Sequence, residues 1–254
     1  MLQVTDYVMR VAPIAVFAAV AGTLTEQGPS VIGKLAIFMG SFYLGLILLW
    51  CVLLGVAALF IGPRVRDLIA HIRAPLILAF STASSEAAYP RILEGLDRFG
   101  VPPRIASFVL PLGYSFNLDG SMMYMTFASL FIAQAYGIDL SIGQQITMLL
   151  VLMVTSKGIA GVPRASLVVI AATMPMFNIP EAGLLLILAV DHFLDMGRSA
   201  TNVIGNAVAA TVVAKWEGGL DEREPADRDF PHAPTGHGPK VALDSYDKIG
   251  PGQV

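Results

Sequence analysis

The chain has 254 residues, 55% of them hydrophobic and only 14% charged, with a mean hydropathy of +0.68. Those values lie outside the range of soluble domains. A formal net charge of −3, with charges gathered at segment ends, excludes the basic face of a nucleic-acid binder.

In chain order, Met1 leads through Asp6 and Arg10 straight into an apolar stretch without the short core and cleavage site of a secretory signal. The chain therefore reads as starting inside a larger architecture. Apolar segments follow at about 11–24, 35–61, 74–88, 105–138, 140–156, 165–179 and 182–214. No charge stands between Lys34 and Arg64, a run longer than the roughly 20 residues that cross a bilayer as an α-helix. Cys51, inside that run, reads as a buried, inert thiol that says nothing of the redox compartment.

Two breaks fall inside membrane-like sequence: STASSEAAYP at 81–90 and SKGIAGVPRAS at 156–166. Each divides a pair of helices too short to span alone, the pattern of a re-entrant hairpin. Each hairpin is followed by a longer apolar segment, giving units of about 71–136 and 141–216, an internal repeat. Paired interruptions in two halves point to a midplane binding site, since unwound backbone at that depth must line a cavity. The alternative is ordinary loops between tilted helices.

Arg64, Arg66 and Arg73, then Arg91, Arg98 and Arg104, then Lys215, Arg223 and Arg228 lie in alternate connections, while the opposite connections carry only Lys34. The positive-inside rule makes the first set cytoplasmic, the C-terminus included. Residues 219–254, rich in Pro, Gly and both charge signs, read as a disordered cytoplasmic tail in which His232 and His237 are solvated rather than metal ligands.

The last apolar segment carries Asp191, Asp195, Arg198, Asn202 and Asn206, spaced 4, 3, 4 and 4, on one face of a helix. Ionisable groups in hydrocarbon cost about 3 kcal/mol or more when unpaired, so such a stripe marks a binding or ion pathway. The bland alternative is an Asp195 to Arg198 salt bridge that merely joins helices. Arg198 offers a planar fork of donors to a carboxylate, and Asp195 can receive an ammonium. At 112–125, LGYSFNLDGSMMYM sets Asn117 and Asp119 beside Gly113 and Gly120. An unwound turn there frees carbonyls, and oxygen-only ligands suit a hard monovalent cation. Ser81, Thr82, Ser84 and Ser85 at one tip, and the Gly158 to Pro163 backbone at the other, add hydroxyls and main-chain groups, with Glu86 and Arg164 at the cavity mouths.

SSEAAYP, GYSFNLDGS, AGVPRAS and DHFLDMGRSATNVIGNA, in this order and spacing, resemble the dicarboxylate/amino acid:cation symporters, the glutamate transporter family, over about 1–218. The resemblance implies an all-α membrane protein with two re-entrant hairpins and broken helices, lacking the family's first four helices. It divides the chain into two scaffold-side transmembrane helices at 1–66, a transport domain at 67–218 and the tail. It implies a multi-pass protein of the plasma (cell inner) membrane, and a homotrimer with elevator-type motion for the full-length protein.

Carried over onto matching positions, Arg198 holds the substrate's side-chain carboxylate and Asp195 its amino group, while Ser84, Ser85, Ser121, Val162, Ser199 and Asn202 line the substrate. Ser166 stands where a glycine is common. Cation positions fall on Gly113, Ser115, Asn117, Asp119, Asp191, Asn202 and Asn206, with Ser156, Gly158 and Ile159 contributing carbonyls. Asn206 replaces an aspartate of sodium-coupled members, which weakens one sodium site and opens proton coupling. Ala83 and Met196 leave out a second arginine seen elsewhere in the family.

The expected function is a non-enzymatic symporter of glutamate or aspartate, driven by sodium or protons and needing no other cofactor. The rivals are a C4-dicarboxylate (succinate, fumarate, malate) symporter and, from another class, an intramembrane aspartyl protease built on Asp119 and Asp191.

Overall fold

The computed structural model describes Ala21, Thr25, residues 30–158 and residues 165–221, all within one compact unit, Met1–Asp221; contacts separate Glu222–Val254 from it. Of the tail expected at 219–254, residues 219–221 are described and packed, with Leu220 buried and Asp221 N–H donating to Gly100 O, so order extends three residues further than expected; the rest lies outside the described residues. Among those described, every regular element is helical.

The first described helix, α1 (Ser30–Ile61), has 32 residues and rises about 48 Å, more than a hydrocarbon layer. Its outward side chains are apolar, among them Leu59 at 85% and Ile37 at 74% exposed, as suits a helix whose solvent is lipid. Cys51 belongs to that outward face and is exposed. It was expected to be buried; an apolar run facing lipid has no need to hide a thiol.

A 3-10 turn (Gly62–Arg64) leads into α2 (Val65–Thr82) and α3 (Ser85–Phe99), which form a tight hairpin. The turn follows from its residues. Ala83 takes a left-handed φ of 49° to end α2, and the Ser84 hydroxyl accepts the Ala87 N–H at 3.3 Å to begin α3. At 15 residues α3 rises about 22 Å, short of a full crossing. α4 (Pro103–Phe116) and α5 (Asp119–Ala135) are one helical path broken at Asn117 and Leu118, whose ψ angles of 64° and 61° leave the helical region.

A Ser141 and Gln144 capping box starts α6 (Ile142–Thr155). A 3-10 turn (Ser156–Gly158) follows, and α7 (Ala165–Thr173) packs back against α6. The tip between these arms, which includes Ile159, Val162 and Arg164, lies outside the described residues. After 3-10 turns at Met174–Phe177 and Glu181–Gly183 comes α8 (Leu184–Leu188), then α9 (Asp191–Trp216). The order hairpin, broken helix thus occurs twice, over the two units marked in the sequence. The last segment was expected as one long helix; it breaks at Ala189–Val190, which puts the Asp191 carboxylate in the first turn of α9, where the helix dipole favours it.

α9 is central, touching α1, α2, α3, α4, α5 and α8. Leu194 lies in a core with Phe42, Leu46, Tyr124 and Ile170, whereas Val203, Ala207 and Ala214 lie in another with Leu68, Ile92 and Leu110. Small residues let neighbours approach closely. A side chain at Gly197 would stand 2.7 Å from Leu46 Cδ1 and 3.0 Å from Tyr43 Cε1 of α1. Two bonds fasten the same contact: Tyr43 donates to the Phe193 carbonyl at 2.6 Å, and Trp50 Nε1 donates to Thr201 Oγ1 at 2.7 Å. α1 is thus packed onto the helix bearing the polar stripe. Trp50→Phe, which keeps the ring and removes the donor, is expected to cost about 1 kcal/mol, read as a lower thermal midpoint in detergent. An unchanged midpoint would make that bond dispensable.

The basic connections meet at one end. Arg64 Nη2 donates to the carbonyls of Phe99 (3.3 Å) and Asp221 (3.1 Å), its guanidinium lies 4.9 Å from the Phe99 ring, and Asp221 N–H donates to Gly100 O at 2.9 Å.

Candidate functional site

The stripe on α9 points inward. Asp191, Asp195, Ser199, Asn202 and Asn206 are all buried, and Arg198 is half-buried. What holds these groups divides the stripe into three.

Around Arg198, the Nε faces Asp195 Oδ1 as an ion pair, though not in hydrogen-bond geometry. Its Nη1 donates to Ser166 Oγ of α7 at 2.9 Å and, more weakly, to Ser121 Oγ of α5 at 3.4 Å. Asn202, one turn on, uses both ends of its amide against the start of α5: its Oδ1 accepts Gly120 N–H at 2.9 Å and its Nδ2 donates to Ser121 Oγ at 3.1 Å. A glycine is required at 120, because a Cβ there would run into the main-chain oxygen of Arg198 and come within 2.9 Å of Thr201 Cβ. The break before α5 therefore delivers Ser121 to α9, where it serves Arg198 and Asn202 together. Ser199 Oγ is fully buried beside them with no hydrogen-bond partner among the described residues.

A second group forms at the broken end of α4. Asn206 Oδ1 fills the space that a side chain at Gly113 would need, and the Asp119 carboxylate fills that at Gly205. Asn117 Nδ2 reaches Asn206 Oδ1 at 3.5 Å, a long contact. Asp119 Oδ2 and Asn206 Nδ2 have no hydrogen-bond partner among the described residues. Asn117, Asp119 and Asn206 thus converge, beside helix-end carbonyls, around one negative charge and two amides. The hydroxyls of Ser115 and Ser156 donate back to the carbonyls of Pro111 (3.3 Å) and Met153 (3.0 Å), so their hydrogens are committed within their own helices.

Asp191 is in neither group. Its Oδ1 accepts the Tyr124 hydroxyl at 2.5 Å, at the opposite end of the stripe from Asn206. Fourteen residues of helix, about 21 Å, separate Asp191 from Gly205, against which Asp119 rests. Two carboxylates sharing a proton must be in contact, so Asp119 and Asp191 do not form the dyad that a protease needs.

The first tip is held elsewhere. Ser84 caps α3 and donates to Glu86 Oε2 at 3.1 Å, and the Ser85 carbonyl accepts Tyr114 OH at 2.8 Å. Both serines are thus engaged within their own hairpin and with α4. Val162 and Ile159 lie outside the described residues. Tyr124 and Lys157 were missed in the sequence, and Ser166 was noted only as a departure from glycine. Tyr124 lies 67 residues from the carboxylate it bonds, so nothing local marks its partner.

Residues 1–216 match the model of the sodium:dicarboxylate symporter family. The chain is 50% identical over 224 residues to a proton/glutamate-aspartate symporter of Escherichia coli K12, covering 88% of this chain and 51% of that protein. It is 46% identical over 218 residues to a proton/sodium-glutamate symport protein of Bacillus subtilis 168, covering 86% of this chain and 51% of that one. It is 49% identical over 214 residues to a C4-dicarboxylate transport protein of Sphingopyxis alaskensis, covering 84% of this chain and 48% of that one. The chain spans about half the length of the curated relatives it matches.

Proposed function

Because this chain belongs to the sodium:dicarboxylate symporter family, an integral membrane family of symporters, we propose that it forms the substrate-binding part of a symporter of glutamate or aspartate. The observation that carries this reading is the Asp195 and Arg198 pair, buried on α9 between the hydroxyls of Ser121 and Ser166. An acidic amino acid brings two carboxylates and one ammonium. The guanidinium is a fork for the side-chain carboxylate, and Asp195, released from that guanidinium, is the partner of the ammonium. Asn202 and Ser121 supply neutral donors and acceptors beside it, and in this reading Ser84, Ser85 and the Val162 backbone line the substrate once it is bound, which requires the first tip to leave the Glu86 and Tyr114 contacts that hold it here.

The coupling cation, sodium or proton, acts at the broken end of α4, on Asn117, Asp119 and Asn206 and the carbonyls of Gly113, Ser115, Ser156, Gly158 and Ile159. Asp191 extends this path on the far side of the substrate. Asn206 contributes no charge, so a single carboxylate serves there, and a proton is the simplest ion to satisfy it. In the whole protein this part moves as an elevator within a homotrimer, with the basic end that Arg64 gathers and the C-terminus on the cytoplasmic side.

One alternative has an observation of its own, the match to a C4-dicarboxylate transport protein; such a substrate leaves Asp195 without an ammonium to bind. Competition decides between the two. In membranes carrying the full-length protein, labelled aspartate uptake is expected to be suppressed by unlabelled glutamate and little affected by succinate. Suppression by succinate at the same concentration would move the assignment to dicarboxylates, and no uptake of either would end it.

A further inference from the structure

Lys157 follows the first arm of the second hairpin, in the 3-10 turn Ser156–Gly158. Its ammonium does not simply extend into solvent. Nζ donates to the Phe116 carbonyl at 2.6 Å and stands 5.6 Å from the centre of the Phe116 ring. Phe116 is the last residue of α4, so this carbonyl is one of those that a helix end leaves without an intrahelical partner, at the negative end of its dipole. Three residues on is Asp119, whose Oδ2 has no hydrogen-bond partner among the described residues.

One carboxylate and one ammonium thus flank this break. Asp119 is the one carboxylate in the group, Asn206 and Asn117 are neutral, and a lysine from the neighbouring hairpin brings one positive charge to the carbonyl end. A sodium ion added here would be a second cation against a single carboxylate, repelled by an ammonium that the backbone already holds in place.

We propose that Lys157 is a tethered cation that occupies the carbonyl end of α4 and takes the place of one coupling sodium. This rests on reading the break as the coupling-cation site. It adds to that reading a named residue that lowers the sodium requirement, and it concerns the lysine's standing charge. The rival account is a plain helix cap, in which the lysine stabilises the end of α4 and has no bearing on ions.

The test is a sodium titration. The purified chain, in detergent or nanodiscs and without substrate, is titrated with sodium chloride against choline chloride while its thermal midpoint is followed. Wild type, Lys157→Met, Lys157→Gln and Lys157→Arg are compared. The two neutral variants are expected to reach half-saturation at sodium concentrations at least about tenfold lower than wild type, a difference of about 1.4 kcal/mol, with Lys157→Arg following wild type. Sodium responses equal to wild type overturn the proposal, whether the neutral variants are as stable as wild type or less so. If both neutral variants fail to fold while Lys157→Arg folds, the lysine is a structural cap and the proposal also falls. The readout needs no acidic substrate, so a chain that carries neither glutamate nor aspartate yet gains sodium affinity on losing Lys157 would refute the substrate assignment alone.

Discussion

With Arg198 replaced by alanine, uptake of acidic substrate by the full-length protein is expected to fall to below about one hundredth of wild type. Two terms combine. The first is the loss of charge-assisted hydrogen bonds to the substrate carboxylate, each worth roughly 1.5–3 kcal/mol. The second is internal: Asp195 is buried against the guanidinium, and removing one member of a buried pair typically costs about 3–5 kcal/mol because the other charge is left behind. That second term endangers the fold, so the measurement needs a companion. Arg198→Lys keeps the charge and removes the planar fork. It should fold like wild type, judged by elution as a single species, while its apparent affinity for aspartate weakens by about tenfold or more. Uptake that survives Arg198→Ala would remove the residue on which the substrate assignment rests.

The second large effect is steric. Gly120→Ala places a methyl group on the main-chain oxygen of Arg198, and within 2.9 Å of Thr201 Cβ and 3.0 Å of the Arg198 carbonyl carbon. Two of those three atoms are backbone, so no rotamer change relieves the clash, and α5 and α9 must separate. Overpacking of this kind costs about 3 kcal/mol, and it also pulls Gly120 N–H from Asn202 and moves Ser121 away from Arg198. We expect a large fall in thermal midpoint and in yield. The control is Gly55→Ala in α1, where nothing lies within 4 Å of the new methyl and helix propensity alone favours alanine. Equal midpoints for the two variants would show that the close crossing of α5 and α9 is not what holds the site together.

Both effects arise from contacts between segments far apart in sequence, which is where reading the chain by itself stops. α1 is legible as an uninterrupted apolar run, the first hairpin as a serine-rich stretch with an N-cap, and the break before Asp119 as asparagine and glycine inside apolar sequence. Each signal lies within about ten residues of the feature it marks. The break at Ala189–Val190 is not legible, because LLLILAV contains neither glycine nor proline; it arises where Asp191 begins a helix of its own beneath Tyr124. The polar stripe on α9 is legible as a face, but its division into an Arg198 group, an Asn206 group and an Asp191 bonded to Tyr124 depends on α4, α5 and α7. Likewise nothing near Trp50 or Tyr43 indicates that α1 fastens to Thr201 and Phe193.

The hydrogen bonding around Arg198 has a thermodynamic corollary. Nη1 is engaged by Ser166 and Ser121, the Asn202 amide is used at both ends, and Nε faces Asp195 as an ion pair. Substrate therefore exchanges partners here rather than adding them. A calorimetric titration should record a small net enthalpy despite many polar contacts, because bonds formed to the ligand are offset by bonds given up within the protein. A site of this kind discriminates by the difference between the bonds it gives up and the bonds it gains.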